Sequence, residues 1–325
     1  KCYFALINMY ANHSTGKNRD DLGVPLLLEN NINGKSSRAT LGEVHDQIIT
    51  DLKNALDYLP ENVTNVTKMK ACKNSAYAFL AKVYLYVNNI ESALSYINKC
   101  SAENLILYNY NEYLRPLDEI SDIFNKSTLP RNVHQDDEIL WTGGTLSNFW
   151  WKKACYSDDL VALFDKDNDL RFYIWATKYD RSGVEFPAYR YVSMRPRSFS
   201  VTSPEIYLIR AECNARSGNI ELAMNDVNTV RMHRYKTGTD YKLTAATQAQ
   251  AIQAVKDERL REFAFTGQNW LDSRRYHSYG ESIPTYARTV EGGETVTLHP
   301  DSKRYTCAIP RFVLDKNPNI IQNER

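Results

Sequence analysis

Aromatic side chains concentrate in one stretch of this 325-residue chain. Trp141, Trp150, Trp151 and Trp175, four of the five Trp, lie within 35 consecutive positions (141 to 175), and the chain also contains 22 Tyr and 11 Phe. Indole and phenol rings combine a large apolar face with a polar edge, as small-molecule sites require. Because two consecutive Trp cannot easily both face a core, we expect Trp150 or Trp151 to be exposed. The stretch is therefore predicted to bind a ligand.

Polar groups next to the paired Trp support this prediction. Asn148 contributes an amide, and Lys152 and Lys153 contribute cations. In contrast, Trp175 ends an apolar run and is predicted to lie in the core. The predicted ligand-binding residues are Trp141, Asn148, Trp150, Trp151, Tyr156, Tyr189 and Tyr191.

Catalytic motifs are missing from the sequence. It contains no G-x-S-x-G, no H-E-x-x-H, no phosphate-binding loop and no dinucleotide fingerprint. The six cysteines are dispersed without a C-x-x-C pair, which disfavours a zinc ribbon or a redox dithiol. We predict no catalytic residue, no cofactor and no enzymatic activity.

Acidic clusters do not match a metal site either. Residues 165–169 begin like a calcium loop, but Leu170 and Ala176 occupy the positions where an EF-hand needs Gly and Glu. His134 precedes an acidic run, yet no second His lies at ligand spacing. No metal site is predicted.

The overall charge is balanced, with 40 Lys plus Arg against 39 Asp plus Glu and no long run of one sign. This balance disfavours a nucleic-acid partner or a polybasic membrane surface. No apolar stretch approaches the roughly 20 residues that are needed to span a bilayer.

Helices are predicted to position the candidate residues. Residues 1–10 have helical spacing, and Thr40 with Glu43 forms a capping box before a helix predicted over 40–59. Another helix is predicted over 247–267.

One helix pair occurs twice, in a pattern typical of tetratricopeptide repeats. Small residues at matched positions let two helices approach closely, and Asn88-Asn89 and Gly218-Asn219 are matching turns. The second copy departs from the first at Arg210, which replaces an apolar residue. The matching residues, at an offset of 130 (207 − 77), are Tyr77, Ala81, Ala93 and Ile97 with Tyr207, Ala211, Ala223 and Val227.

The predicted fold class is mostly α, with tetratricopeptide-like helix pairs forming a scaffold and a long irregular insertion carrying short strands such as 139–141. Irregular loops on a rigid frame are where binding usually resides. The predicted divisions are a helical scaffold with the first pair (1–100), an insertion with the candidate ligand-binding region (101–203), the second pair with following helices (204–277) and an irregular tail (278–325).

Three ordered motifs resemble the SusD/RagB family. Residues 204–231 are similar to its signature helix pair, and E-R-L-R-E-F-A-F-T-G-Q-N-W-L-D-S-R-R at 258–275 resembles its E-R-R-x-E-x-A-F-E-G-x-R-W-x-D-L-R-R element. Ile-Pro at 309–310 and N-P-N-x-x-Q-N at 317–323 resemble its ending. The departures from the family pattern are Thr266, Asn269 and Ser273.

The resemblance implies a single SusD-like domain over 1–325 and a nutrient-binding lipoprotein of the outer-membrane surface. Such a subunit captures an oligosaccharide or polysaccharide and delivers it to a SusC-like TonB-dependent receptor. The apolar face of a pyranose stacks on aromatic rings, which suits the Trp-rich insertion. The resemblance also implies that the sequence is N-terminally incomplete and that the lipid anchor lies outside this chain. Cys2 is not expected to be the lipidated cysteine, because no apolar leader precedes it.

Two alternatives stay open at this point. The same fold can capture peptides or another polymer, and a tetratricopeptide scaffold can bind a partner protein in a helical groove. The long insertion and the presence of only two recognisable repeats disfavour the second alternative.

Overall fold

A computed structural model describes residues 1–29, 34–62, 68–101, 103, 105–116, 125–142, 154–180, 182–192, 200–290 and 292–325. The described helices are α1 (Cys2–Tyr10), α2 (Leu41–Ala55), α3 (Lys73–Tyr86), α4 (Ile90–Ile97), α5 (Asp158–Leu163), α6 (Leu170–Trp175), α7 (Ser203–Arg216), α8 (Ile220–Met232), α9 (Gln248–Glu262), α10 (Gln268–Ser278) and α11 (Arg311–Lys316). The strands are β1 (Ile139–Trp141), β2 (Ala176–Tyr179), β3 (Glu185–Tyr191), β4 (Val201–Thr202), β5 (Tyr286–Thr289) and β6 (Thr295–Leu298). They form three antiparallel pairs, β1 with β4, β2 with β3, and β5 with β6. The predicted fold class is confirmed.

The chain divides into two compact units. Unit 1 comprises Lys1–Tyr58, Val83–Asn89 and Trp270–Arg325, and unit 2 comprises Leu59–Lys82 and Ile90–Asn269.

The predicted repeat is visible in its turns. Asn88 and Gly218 both have positive φ, 59° and 83°. Beside them the N–H of Asn89 donates to Tyr84 O and the N–H of Asn219 donates to Asn214 O, each at 2.9 Å. Both bonds span five residues at a helix end, which is the Schellman pattern. The two turns are thus the same structure at equivalent positions of the repeat.

Helices α7, α8 and α9 form one apolar core of unit 2. Small residues at the crossing of α7 and α8 allow close approach, and branched side chains fill the remaining space. The fully buried members of this core include Leu208, Ala211, Ala215, Ala223, Val227, Val230, Ala251 and Val255.

The capped helices begin where predicted but end earlier. The capping box of Thr40 and Glu43 is present, yet α2 ends at Ala55 because its last turn tightens, with Leu56 N–H bonding Lys53 O at 3.2 Å. Helix α9 ends at Glu262, short of the predicted 267, because the chain enters positive φ at Phe265.

The insertion contains two short helices, α5 and α6, that were not predicted. Six residues make fewer than two turns, so no apolar period develops. Both begin with a side-chain cap: Ser157 accepts from Leu160 N–H and Asp169 accepts from Arg171 N–H.

The C-terminal motif closes unit 1 by side-chain to main-chain hydrogen bonds. The Gln322 side-chain amide makes two hydrogen bonds to the main chain of Ile309. Its oxygen accepts from the Ile309 N–H at 2.8 Å, and its nitrogen donates to Ile309 O at 2.9 Å. Asn323 Nδ2 donates to Tyr10 O at 2.9 Å, and Asn317 Nδ2 donates to Ser36 O at 3.0 Å. The motif therefore fixes the chain on both sides of α11 by side-chain hydrogen bonds.

Candidate functional site

Three of the predicted site residues lie together, two on strand β3 and one on the segment hydrogen-bonded to it. The N–H of Tyr156 donates to Tyr189 O at 2.8 Å, and the N–H of Tyr191 donates to Ala154 O at 2.9 Å. These two bonds hold residues 154–156 beside β3, which is itself paired with β2. The backbone therefore brings Tyr156, Tyr189 and Tyr191 into one place, all within unit 2.

Tyr156 lies beneath this aromatic cluster. Its side chain is only 4% exposed, and its ring packs edge-to-face on Phe265 at a centroid distance of 4.9 Å and on Phe172 at 5.9 Å. Burial raises the pKa of the Tyr156 hydroxyl well above its ordinary value, so the phenol stays neutral. Tyr156 supports the neighbouring rings from below.

Tyr191 and Tyr189 are the partly exposed rings of the cluster. Tyr191 stacks on Phe265 at 4.3 Å, and Tyr189 packs edge-to-face on Phe172 at 4.8 Å. Two ammonium groups lie over the Tyr189 ring, Lys166 Nζ at 5.8 Å and Lys178 Nζ at 5.2 Å from its centroid. A ligand that stacks on Tyr189 would compete with these two ammonium groups for the face of the ring. The displaced ammonium groups could then donate hydrogen bonds to the edge of the ligand.

The remaining predicted site residues are placed differently. Trp141 ends β1, is partly exposed, and packs edge-to-face on Phe79 at 5.8 Å. Trp150, Trp151 and Asn148 lie outside the described residues. Trp175 is buried against Tyr110, as expected of a core residue.

Unit 2 also contains a network of buried charges, hereafter the Arg–Glu network. Arg171 bonds Asp169 at 2.7 Å and 3.0 Å and Glu258 at 2.7 Å. Arg234 joins Glu262 and Glu138, both at 2.9 Å. The members, all of them buried, are Glu138, Asp169, Arg171, Arg231, Arg234, Glu258, Arg261 and Glu262.

Four guanidinium groups and four carboxylates balance each other in this network. Burial alone would raise the pKa of Glu258, but the charges of Arg171, Arg261 and Arg231 lower it to about 2. Carboxylates that are fully paired with arginine are ionised and poor proton donors. The network therefore fixes structure: it connects α6, α9 and the end of α8 to residue 138, just before β1.

No metal-binding group of three or more His, Cys, Asp or Glu occurs among the residues that the structure describes. Of the helices in that part of the chain, none is long and apolar enough to cross a bilayer.

Two family models match separate parts of the chain. Residues 1–85 match a SusD-like family described as starch-binding and associating with the outer membrane, and residues 204–325 match the SusD family, SusD/RagB. The chain belongs to the SusD/RagB family. No curated protein matches the sequence.

Solved structures resemble this SusD/RagB chain over almost its whole length. A SusD superfamily protein from Bacteroides thetaiotaomicron has a TM-score of 0.70 at 18% identity, covering 99% of this chain and 75% of that one. A SusD-like carbohydrate binding protein from Bacteroides vulgatus has a TM-score of 0.69 at 20% identity, covering 98% of this chain and 74% of that one. Surface glycan-binding protein A from Bacteroides uniformis has a TM-score of 0.64 at 18% identity, covering 99% and 75%. At these identities the likeness shows the fold.

The structure gives the SusD/RagB motifs a physical role that the sequence alone did not reveal. Glu258, Arg261 and Glu262 of the second motif belong to the Arg–Glu network. The departures from the family pattern find other partners: Thr266 Oγ1 donates to Phe263 O at 2.7 Å and the Ser273 hydroxyl bonds the Tyr286 hydroxyl at 2.9 Å. The available signal was the spacing of Glu258, Arg261 and Glu262 at i, i+3 and i+4, which places three charged side chains on one face of α9.

Proposed function

We propose that this SusD/RagB chain is a glycan-binding subunit of the outer-membrane surface, anchored by a lipid, that captures an oligosaccharide and delivers it to a SusC-like TonB-dependent transporter. Family membership carries the proposal, since one matching family is described as starch-binding and associating with the outer membrane. The structural neighbours described as carbohydrate-binding and glycan-binding proteins add support.

We place the glycan on the aromatic surface of the insertion. Tyr189 and Tyr191 offer partly exposed rings, and Tyr156 holds them in position. Ala154, which is hydrogen-bonded to Tyr191, follows Trp150 and Trp151 by four and three positions in the sequence. The paired Trp, with Asn148 and Trp141, complete the proposed set: rings for pyranose faces, and amide and ammonium groups for hydroxyls.

The site is tested by calorimetry with starch-derived and other oligosaccharides. We expect the double variant Trp150→Ala/Trp151→Ala to weaken glycan binding about tenfold, the equivalent of ~1.4 kcal/mol, and Tyr189→Ala to weaken it by less. Tyr58→Ala is the matched control, because Tyr58 is 89% exposed and lies in unit 1. Unchanged affinity in the double variant would remove this site.

The ligand class and the partner need separate measurements. Binding to peptides with no binding to any glycan would replace the glycan proposal by peptide capture. For delivery, the full-length lipoprotein should co-purify with a TonB-dependent receptor from detergent-extracted outer membranes. Recovery without any such receptor would contradict the transporter proposal.

A further inference from the structure

Unit 1 contains a cavity of about 290 Å³ that the aromatic surface does not use. Its walls come from residues 12–13, from the end of α10 with the following turn, and from residues 300–306. Ligand pockets usually measure roughly 300 to 1,000 Å³, so this cavity suits a small ligand the size of one sugar ring.

Arg274, in the wall of this cavity, is a buried cation without a carboxylate partner among the residues that the structure describes. It is 4% exposed, and its guanidinium donates to Asn8 O, Ala11 O and Thr306 Oγ1. The two carbonyls lie at the C-terminal end of α1, whose dipole supplies only about half a unit of negative charge. Burial lowers the pKa of Arg274 to about 10, so the group is still charged at neutral pH. Part of its charge is therefore left uncompensated.

The other charged groups of the cavity wall are paired with each other or with nearby residues. His277 Nε2 lies 3.2 Å from Asp301 Oδ1, and Lys303 pairs with Glu324. The Asp301 side chain is 94% exposed, so solvent screens its repulsion of an anion. Arg274 is thus the cation in this wall that an incoming anion would meet unpaired.

Two buried polar atoms in the same wall have no hydrogen-bond partner in the described structure. They are the Tyr305 hydroxyl, on a side chain that is 7% exposed, and His13 Nδ1. Because His13 Nε2 faces Tyr86 O at 3.0 Å and must donate to it, Nδ1 of the neutral ring is an acceptor. Burial, followed by the charges of Arg274 and Arg275, lowers the pKa of His13 well below its ordinary value, which keeps the ring neutral. An unpartnered buried acceptor and hydroxyl each cost free energy that a ligand would recover.

We propose that this cavity binds a small molecule carrying both a carboxylate and hydroxyl groups, such as a single uronic acid. The ligand carboxylate pairs with Arg274, and a ligand hydroxyl donates to His13 Nδ1. The Tyr305 hydroxyl forms a third hydrogen bond to the ligand. The site is independent of the aromatic surface, because all its residues belong to unit 1 whereas Tyr189 and Tyr191 belong to unit 2.

Calorimetry with glucuronate, glucose and acetate tests this proposal on the purified chain. We expect one glucuronate site, with glucose and acetate each bound at least about tenfold more weakly, because each lacks one of the two recognised groups. Equal affinity for glucuronate and glucose, equal affinity for glucuronate and acetate, or no binding of glucuronate would overturn the proposal.

Tyr305→Phe is the decisive variant, because it removes a hydroxyl that has no described protein partner. Its ring can keep its stacking on Trp270 at 4.8 Å, so the midpoint of thermal unfolding should be unchanged or raised. Glucuronate affinity should fall about fivefold, the worth of one hydrogen bond. Tyr58→Phe is the matched control, and unchanged glucuronate affinity in Tyr305→Phe would contradict the site.

A second comparison separates this site from the glycan surface. Trp150→Ala/Trp151→Ala should leave glucuronate affinity unchanged, and Tyr305→Phe should leave oligosaccharide affinity unchanged. Loss of glucuronate binding in the Trp variant would refute an independent site in unit 1, whatever the fate of the glycan proposal.

Discussion

Arg210 occupies the position in the second helix pair that Leu80 occupies in the first. Its guanidinium makes two parallel bonds to Asp226 on the neighbouring helix α8, at 2.9 Å and 2.7 Å. Leu80, in contrast, is fully buried. The first helix pair is thus stabilised at this position by apolar packing, and the second pair is stabilised at the equivalent position by a bidentate ion pair.

A double-mutant cycle should expose this exchange. Arg210→Leu alone leaves the Asp226 carboxylate, which is 10% exposed, without its partner and should lower the free energy of unfolding by about 2 kcal/mol. Arg210→Leu/Asp226→Leu should recover most of that loss, since an apolar pair can replace a buried ion pair at little cost. Chemical denaturation measures each free energy, and simple additivity of the two single changes would contradict the coupling.

At the scale of elements, the two repeat turns use different residues for one backbone conformation. Gly218 adopts positive φ at no steric cost, while Asn88 incurs a penalty that glycine would not. A Cβ added at Gly218 would meet no atom within 4 Å, so any effect of substitution there comes from the backbone.

Exchanging the turn residues should therefore shift stability in opposite directions. We expect Gly218→Ala to lower the free energy of unfolding by about 1 kcal/mol, and Asn88→Gly to leave it unchanged or raise it by a few tenths. Gly218→Asn is the control and should fall between wild type and Gly218→Ala. Equal destabilisation by Asn and Ala at 218 would contradict the role of the left-handed conformation.

The helices and turns were predictable because their signals are local. The capping box at Thr40, the positive-φ turns and the small residues at the helix crossing each depend on a few neighbouring residues. The predictions that were wrong also have local causes. Helices α5 and α6 are too short to show an apolar period. The ends of α2 and α9 depend on turn geometry, which the apolar period does not encode.

The candidate site was only partly within reach of sequence reasoning. Tyr189 and Tyr191 are two apart on one strand, so a shared face was foreseeable, and main-chain pairing brought Tyr156 beside them. The burial of Tyr156 was not foreseeable, because it depends on Phe265, which is distant from it in the sequence. The cavity in unit 1 was equally hidden, since its walls join residues 12–13 to residues 274–306.

At the scale of the whole molecule, the net charge is close to zero, yet many of the charged side chains are buried and paired with each other. The sequence carries 40 Lys and Arg against 39 Asp and Glu, and eight of these residues form the Arg–Glu network of unit 2. Such a network contributes little when intact compared with an apolar core, but its disruption leaves charges buried without partners. The network therefore makes the stability of the protein depend on pH.

Glu258→Gln tests that dependence. The folded-state pKa of Glu258 is depressed from 4.5 to about 2, so its contribution is present above pH 4.5 and is lost as the pH falls toward 2. At pH 7 we expect Glu258→Gln to lower the free energy of unfolding by about 3 kcal/mol. The gap between variant and wild type should narrow steadily below pH 4.5, as measured by denaturation at a series of pH values. Glu294→Gln, at an exposed position, is the control, and its free energy of unfolding should match that of wild type at every pH. If the difference in free energy between Glu258→Gln and wild type persists unchanged at pH 2.5, packing around residue 258 rather than its charge stabilises the fold.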